Sequence, residues 1–165
     1  MRIIEKSVVE KLDQEITQVI STGIVKKKGT AAKEISLTDF FKDKLMIIKV
    51  IGDGVPYSLF TRIQDYTPFT DKDWSNFLDI STKSLLRYKQ SLRNFKRIHS
   101  EKIIEMAEVT NIGLDVFGNM DKFKLWLETP NFALGSTKPI ELLRNSYGKD
   151  MVISELIRIN YGILV

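Results

Sequence analysis

The densest chemistry in this chain is cationic. Between Lys83 and Lys102, seven basic residues (Lys83, Arg87, Lys89, Arg93, Lys96, Arg97 and Lys102) stand against a single acid, Glu101. The whole 165-residue chain has a net charge of only +4, so positive charge is concentrated in this stretch. Such a stripe is the electrostatic footprint of a phosphate-binding face. On charge alone, a solvated lysine-rich helix face accounts for it equally well. From Asp121 to Val165, six basic residues face five acidic ones, so that region is nearly neutral. The two regions imply two surfaces with different roles.

Catalytic chemistry is not evident. There is no cysteine, which excludes disulfides and thiolate metal sites, and the single histidine, His99, has no second imidazole for a metal set or a proton relay. The acids are scattered over helix exteriors, so no acid, base or nucleophile cluster is expected. Gly52 and Gly54 lack the further glycine and the lysine of a phosphate-binding loop, and they follow a helical segment where that loop needs a strand. The expectation is a non-enzyme with no catalytic residue, no metal, no cofactor and no small-molecule substrate. His99 reads as a surface or capping residue. No segment is long and apolar enough for a membrane span, and Glu5 interrupts the start where a leader peptide needs an apolar run. These features predict a cytoplasmic protein with no membrane partner.

The elements that carry these residues are helical, because apolar positions recur three and four apart and almost nothing alternates with a period of two. The fold class expected is all-α: an N-terminal amphipathic helix, a helix-turn-helix domain, and a small C-terminal helical domain. Ile4, Val8, Leu12, Ile16 and Val19 share one side of the first helix, which ends near Thr22-Gly23. The small, polar and basic run Val25–Ala32 is the best linker candidate, so residues 1–33 read as an arm and linker. Whether that helix packs on the domain, exchanges between subunits or stays mobile is open at this level. A second helix is predicted over Asp39–Ile51, and Pro56 opens a third.

Residues 34–99 hold the strongest motif. Thr70, with Asp73 three residues on, and Ser81 are two N-caps in close succession, so only a short turn separates the helices they begin. Trp74, Leu78, Ile80, Leu85 and Tyr88 take the apolar positions that brace the second helix of a helix-turn-helix across the first, with small Ser75 at the closest approach. Asp79 occupies the turn position that often holds glycine; aspartate tolerates the left-handed conformation needed there. In a DNA-reading motif the second helix enters the major groove by its N-terminal end. Ser81, Thr82, Lys83, Ser84 and Arg87 then face bases and phosphates, while Lys89 and Arg93, with Lys96 and Arg97, suit sequence-independent phosphate contacts. The competing reading is a helix pair that merely packs.

In residues 100–165, a long helix is predicted from Ser100 to Val116, stopped by Gly118, with Asn119 capping a short successor over Asp121–Leu127. Pro139 starts another helix with Leu142 and Leu143 inward, and Ser146 or Tyr147 starts the last, where Val152, Leu156 and Ile159 repeat. The chain then runs through Tyr161-Gly162-Ile163-Leu164-Val165, an apolar stretch that must tuck into the core or be held by a partner. Val116-Phe117-Gly118, Trp126-Leu127, Pro130-Asn131, Ala133-Leu134-Gly135, Pro139-Ile140-Glu141-Leu142-Leu143 and Arg158-x-x-Tyr161-Gly162 stand in the order and spacing of a bacterial antitoxin family. The chain resembles the Xre/MbcA/ParS antitoxins, partners of RES-domain toxins, most densely over 116–165 and more loosely back to about residue 44. Ser136 stands where that family commonly has a second glycine, and Lys138 where it has threonine.

The resemblance implies an antitoxin of a type II toxin-antitoxin system, which keeps a cognate NAD-depleting RES-domain toxin inactive by covering its active site. It also implies repression of its own promoter through operator DNA bound by the helix-turn-helix, and a homodimer. Carried onto this chain, the toxin-facing residues are Arg158, Tyr161, Gly162, Ile163, Leu164 and Val165. Periodicity alone favours instead that Tyr161 and Leu164 lock the last helix onto the core. The rival function is a stand-alone helix-turn-helix transcriptional regulator whose C-terminal region only dimerises.

Overall fold

Leu12, Ile16 and Ile20 recur every four residues and bury as one ridge of α1 (Lys6–Gly23). In this computed structural model, which describes residues 6–23 and 33–162, that ridge lies against α4 (Tyr57–Tyr66). Two hydrogen bonds tie α1 to the chain that follows. The Asp13 carboxylate accepts from the Leu37 backbone N–H at 2.7 Å, and the Thr17 hydroxyl accepts from Ile35 N–H at 2.8 Å. The helix of the 1–33 segment is therefore a packed member of the fold and not a projecting arm. The linker candidate Val25–Ala32 and the predicted apolar position Ile4 lie outside the described residues.

The all-α expectation holds: the described residues contain helices and no strand beyond an isolated bridge between Asn131 and Thr137. The helix expected over Asp39–Ile51 is instead two, α2 (Leu37–Lys42) and α3 (Lys44–Asp53). Asp43 makes the break. Its backbone is extended and its carboxylate accepts from Met46 N–H at 3.1 Å, so it caps α3 instead of continuing α2. Next come α4, α5 (Asp71–Leu78) and α6 (Thr82–Ser91), and then α7 (Arg97–Phe117), which begins three residues before the expected start. Ser100 is not the cap of α7. It is fully buried, accepting from Val55 N–H at 2.8 Å and donating to Phe95 C=O at 3.2 Å.

α7 is the spine of the molecule. Ile103, Ile104, Met106, Ala107, Val109 and Thr110 are buried along it, and α3, α4, α5, α8 (Met120–Glu128) and α10 (Ser146–Asn160) all pack against it. Gly113 lets α8 approach, because a Cβ there would run into the Phe123 ring. Between α8 and α10 the chain makes a 3₁₀ turn (Phe132–Leu134) and a single helical turn, α9 (Pro139–Leu142), with Pro139 in its first turn as predicted. Glu105 of α7 pairs with Lys102 at 2.8 Å and with Lys149 of α10 at 3.4 Å, while the Lys102 ammonium also reaches the Leu143 carbonyl at 3.3 Å. Burial alone would depress the Lys149 ammonium; Glu105 and Asp150 outweigh it and hold its pKa above the usual lysine value. This network fastens the C-terminal helices to the spine. Among the described residues no helix is long and apolar enough to cross a membrane.

Candidate functional site

The first candidate surface is built on α5 and α6. Thr70 and Asp73 cap each other reciprocally at the start of α5, and the Ser81 hydroxyl accepts from Ser84 N–H at 3.1 Å at the start of α6. Asp79 joins the helices with φ 51° and ψ 45°, the left-handed geometry expected of that position. Trp74, Leu78 and Leu85 are buried, Ile80 and Tyr88 partly so, and Phe60 meets the Trp74 indole edge-on at 5.1 Å. The brace residues anticipated from spacing thus all belong to the core or pack against it, and the Phe60–Trp74 contact joins α5 to α4.

Anchored by Leu85, α6 presents its remaining faces outward. Ser81, Thr82, Lys83, Arg87, Lys89 and Arg93 are exposed and Ser84 is half-buried. The set does not form one surface. Thr82, Lys83 and Lys89 turn toward a cleft shared with Tyr57, Thr61 and Gln64 of α4, whereas Ser84, Arg87 and Arg93 border a separate cleft with Lys96 and His99. Ser81 spends its hydroxyl on the cap. His99, expected at the surface or as a cap, is half-buried inside α7, edge-on to the Tyr88 ring at 6.3 Å. Burial, helped by the nearby Lys96 ammonium and opposed by Asp79, lowers its pKa below the ordinary imidazole value.

The second candidate surface is at the other end of α7. The loop Asn131–Thr137 closes on itself: Asn131 C=O accepts from Ser136 N–H at 2.9 Å, and its side-chain oxygen accepts from Ala133 N–H at 2.8 Å. Gly135 and Ser136 both have positive φ, 69° and 58°. A residue with no Cβ suits each of these positions, so Ser136 carries strain that a glycine there would avoid. Asn145 then caps α10, accepting from Gly148 N–H at 2.9 Å. Gly148 is required by α9, because a Cβ would collide with the Leu142 carbonyl.

Val152 and Leu156 bury the inner face of α10, and Ile159 is only partly covered. The opposite face is unusually apolar for one in water: Tyr147 is 87% exposed, Met151 47%, Ile157 45% and Tyr161 75%, with Phe132 of the preceding loop at 86%. Of the predicted partner-facing residues, Tyr161 and Gly162 are exposed and end the helix through hydrogen bonds to Ile157 and Ile159 carbonyls. Arg158 is half-buried and engaged with Glu155. Ile163, Leu164 and Val165 lie outside the described residues. Sequence reasoning missed Phe132, Tyr147, Met151 and Ile157. For Tyr147 and Met151 a signal was available, since 147, 151, 154, 158 and 161 recur at helical spacing opposite the buried Val152 and Leu156; Ile157 lies off that row and Phe132 outside α10.

Residues 113–162, which contain this loop and α10, match the model of the antitoxin Xre/MbcA/ParS C-terminal toxin-binding domain. Antitoxin Xre of Photorhabdus laumondii subsp. laumondii is 26% identical over 116 residues, spanning 70% of this chain and 78% of that protein. A chain in the crystal structure of the M. tuberculosis MbcT–MbcA toxin–antitoxin complex superposes with a TM-score of 0.53 at 22% identity, covering 64% of this chain and 94% of its own, a likeness of fold. The glycine at 113 that admits Phe123, the closed loop at Asn131–Thr137 and the capped α10 all fall within the matched segment. Over residues 113–162 the chain thus carries a segment that matches the toxin-binding domain of the Xre/MbcA/ParS antitoxins, and over 70% of its length it is similar to an Xre antitoxin.

Proposed function

We propose that this chain is the antitoxin of a type II toxin–antitoxin pair, neutralising an NAD-depleting RES-domain toxin by covering its active site with α10 and the residues that follow. The observation that carries this reading is the outer face of α10. Tyr147, Met151, Ile157 and Tyr161 form an exposed apolar stripe inside the matched toxin-binding domain and leading directly to Ile163-Leu164-Val165. Aromatic side chains in such a stripe bury much area at little entropic cost, as binding hot spots require. Arg158 and Gly162 flank the stripe, and a guanidinium suits a cleft shaped for an anionic nucleotide.

The same proposal includes repression of its own promoter by a homodimer, with α5 and α6 as the helix-turn-helix. The tight Asp79 turn between α5 and α6 and the exposed cations of α6 support this part. The test is co-expression with the RES-domain protein of the same locus. Full-length chain should restore growth and NAD levels, and deletion of Ile163–Val165 or Tyr161→Ala should abolish rescue while leaving promoter binding intact. Unchanged rescue by both variants would remove α10 and its extension from the toxin interface. For the DNA part, Lys83→Ala with Arg87→Ala should weaken a promoter mobility shift, and an unaltered shift would take α6 out of the DNA interface.

A further inference from the structure

We infer that the cleft between α6, the 92–96 loop and α7 is a binding site for one phosphate group of the DNA backbone, with Lys96, Asn94 and His99 joining Arg87 and Arg93 around it. This rests on the DNA-contact reading and adds to it a defined site with residues beyond the recognition helix. The cleft measures about 680 Å³ and its walls contain no carboxylate. Arg87 comes from α6, Arg93 and Lys96 from the loop, so two separate backbone segments bring positive charge to one concavity. None of the three takes part in an ion pair among the described residues. Ser84 and Ser91 on one wall and the Asn94 amide on the other supply neutral donors.

His99 sits at the base. Its Nδ1 is buried with no hydrogen-bond partner, and nearby Lys96 and the burial itself keep the ring from charging. An anion in the cleft reverses that balance by offsetting Lys96 and stabilising the imidazolium. On its other side His99 borders a second cleft lined by Asp79, Glu101, Lys102, Glu105 and Arg144. That cleft mixes acids with cations, so it offers an anion no comparable field, and the two clefts differ in the ligand they admit. A phosphate bound beside the C-terminal half of α6 would hold the helix by its far end while its N-terminal residues face the groove. Backbone contacts of that kind position a reading helix without themselves reading sequence.

His99 is the chain's one histidine, so its imidazole proton resonances report on this cleft without ambiguity. The experiment titrates full-length protein with promoter duplex, and separately with inorganic phosphate, following the His99 signals by NMR and DNA affinity by fluorescence anisotropy across salt. Expected are a duplex-dependent rise in the His99 pKa, and for Lys96→Ala a tenfold or greater loss of affinity with the log–log salt slope shallower by about 0.9, the value of one phosphate contact. Lys124→Ala, a cation of α8 outside this cleft, should leave both unchanged. If duplex binds but His99 does not respond and Lys96→Ala matches the parent protein, the cleft assignment fails and the DNA reading stands. If no duplex binds yet inorganic phosphate shifts His99, the DNA assignment is overturned. Silence to both ligands overturns the two together.

Discussion

Arg158 grips Glu155 one turn back along α10 with two hydrogen bonds, Nε to Oε2 at 2.9 Å and Nη2 to Oε1 at 2.8 Å. Glu155 is buried, and its Oε1 also lies 3.5 Å from the Asn131 amide nitrogen. The arginine expected to face a partner thus also holds a carboxylate that links α10 to the Asn131–Thr137 loop. Arg158→Ala leaves that carboxylate under-satisfied and should cost about 1–3 kcal/mol in chemical denaturation. Glu155→Gln in the same chain should recover part of the loss. An unchanged denaturation midpoint for Arg158→Ala would assign the side chain to partner contact alone.

Ser100 bridges two chain segments that no helix connects. Its hydroxyl satisfies Val55 N–H and Phe95 C=O in a fully buried setting, beside the Phe95 N–H to Val55 C=O bond of 2.8 Å. Ser100→Ala should destabilise by about 1–3 kcal/mol, because Val55 N–H loses its partner where water does not reach. Hydrogen exchange at Val55 should accelerate in the variant before global unfolding, and unaltered protection there would contradict the bridge.

Strain at Ser136 should be removable. Its φ of 58° costs a serine more than a glycine, so Ser136→Gly should raise stability by up to about 1 kcal/mol, less the added backbone freedom of the unfolded chain. Gly135→Ala, at φ 69°, should move stability the opposite way. A thermal melt of the pair decides it, and the same sign for both would mean that φ does not govern this loop.

Gly113 and Phe123 should behave as a coupled pair. Gly113→Ala forces a methyl group into the Phe123 ring and should cost about 1–3 kcal/mol by overpacking. Phe123→Leu alone opens space in the core and is destabilising as well. The double variant should be more stable than the sum of the two predicts, a coupling that a double-mutant cycle measures directly. Strict additivity would show that α7 and α8 do not meet there.

The acid limb of stability should carry a His99 component. Its pKa is lowered in the folded protein, first by burial and then by Lys96, so the unfolded chain binds the proton more readily. Stability is therefore full above the ordinary imidazole value of 6.5 and declines as pH falls through it. His99→Gln should flatten that decline between about pH 7 and pH 5, read as the denaturant midpoint at each pH. An identical slope in the variant would assign the decline to other groups.

The parts of this protein legible in its sequence are those decided by residues three or four apart. The Thr70–Asp73 box, the Ser81 and Asn119 caps, the proline start of α9 and the Asp79 turn are local hydrogen bonds or local dihedral preferences, and the sequence states their chemistry outright. The basic stripe was equally plain. Even locally there was a limit: the apolar period ran through Asp43, and its pull toward one helix hid a capping aspartate that splits α2 from α3. What tertiary structure alone decided depends on segments far apart in the chain. Docking of α1 on α4 turns on Asp13 and Thr17 meeting residues 18 to 24 positions away, and burial of Ser100 turns on Val55, 45 positions away. The division of the α6 cations between two clefts, the exposure of Phe132 and Tyr147, and the engagement of Arg158 have the same origin. Each side chain's environment is set by which distant helix covers it, and helical periodicity tells which residues share a face without telling which face a partner helix will take.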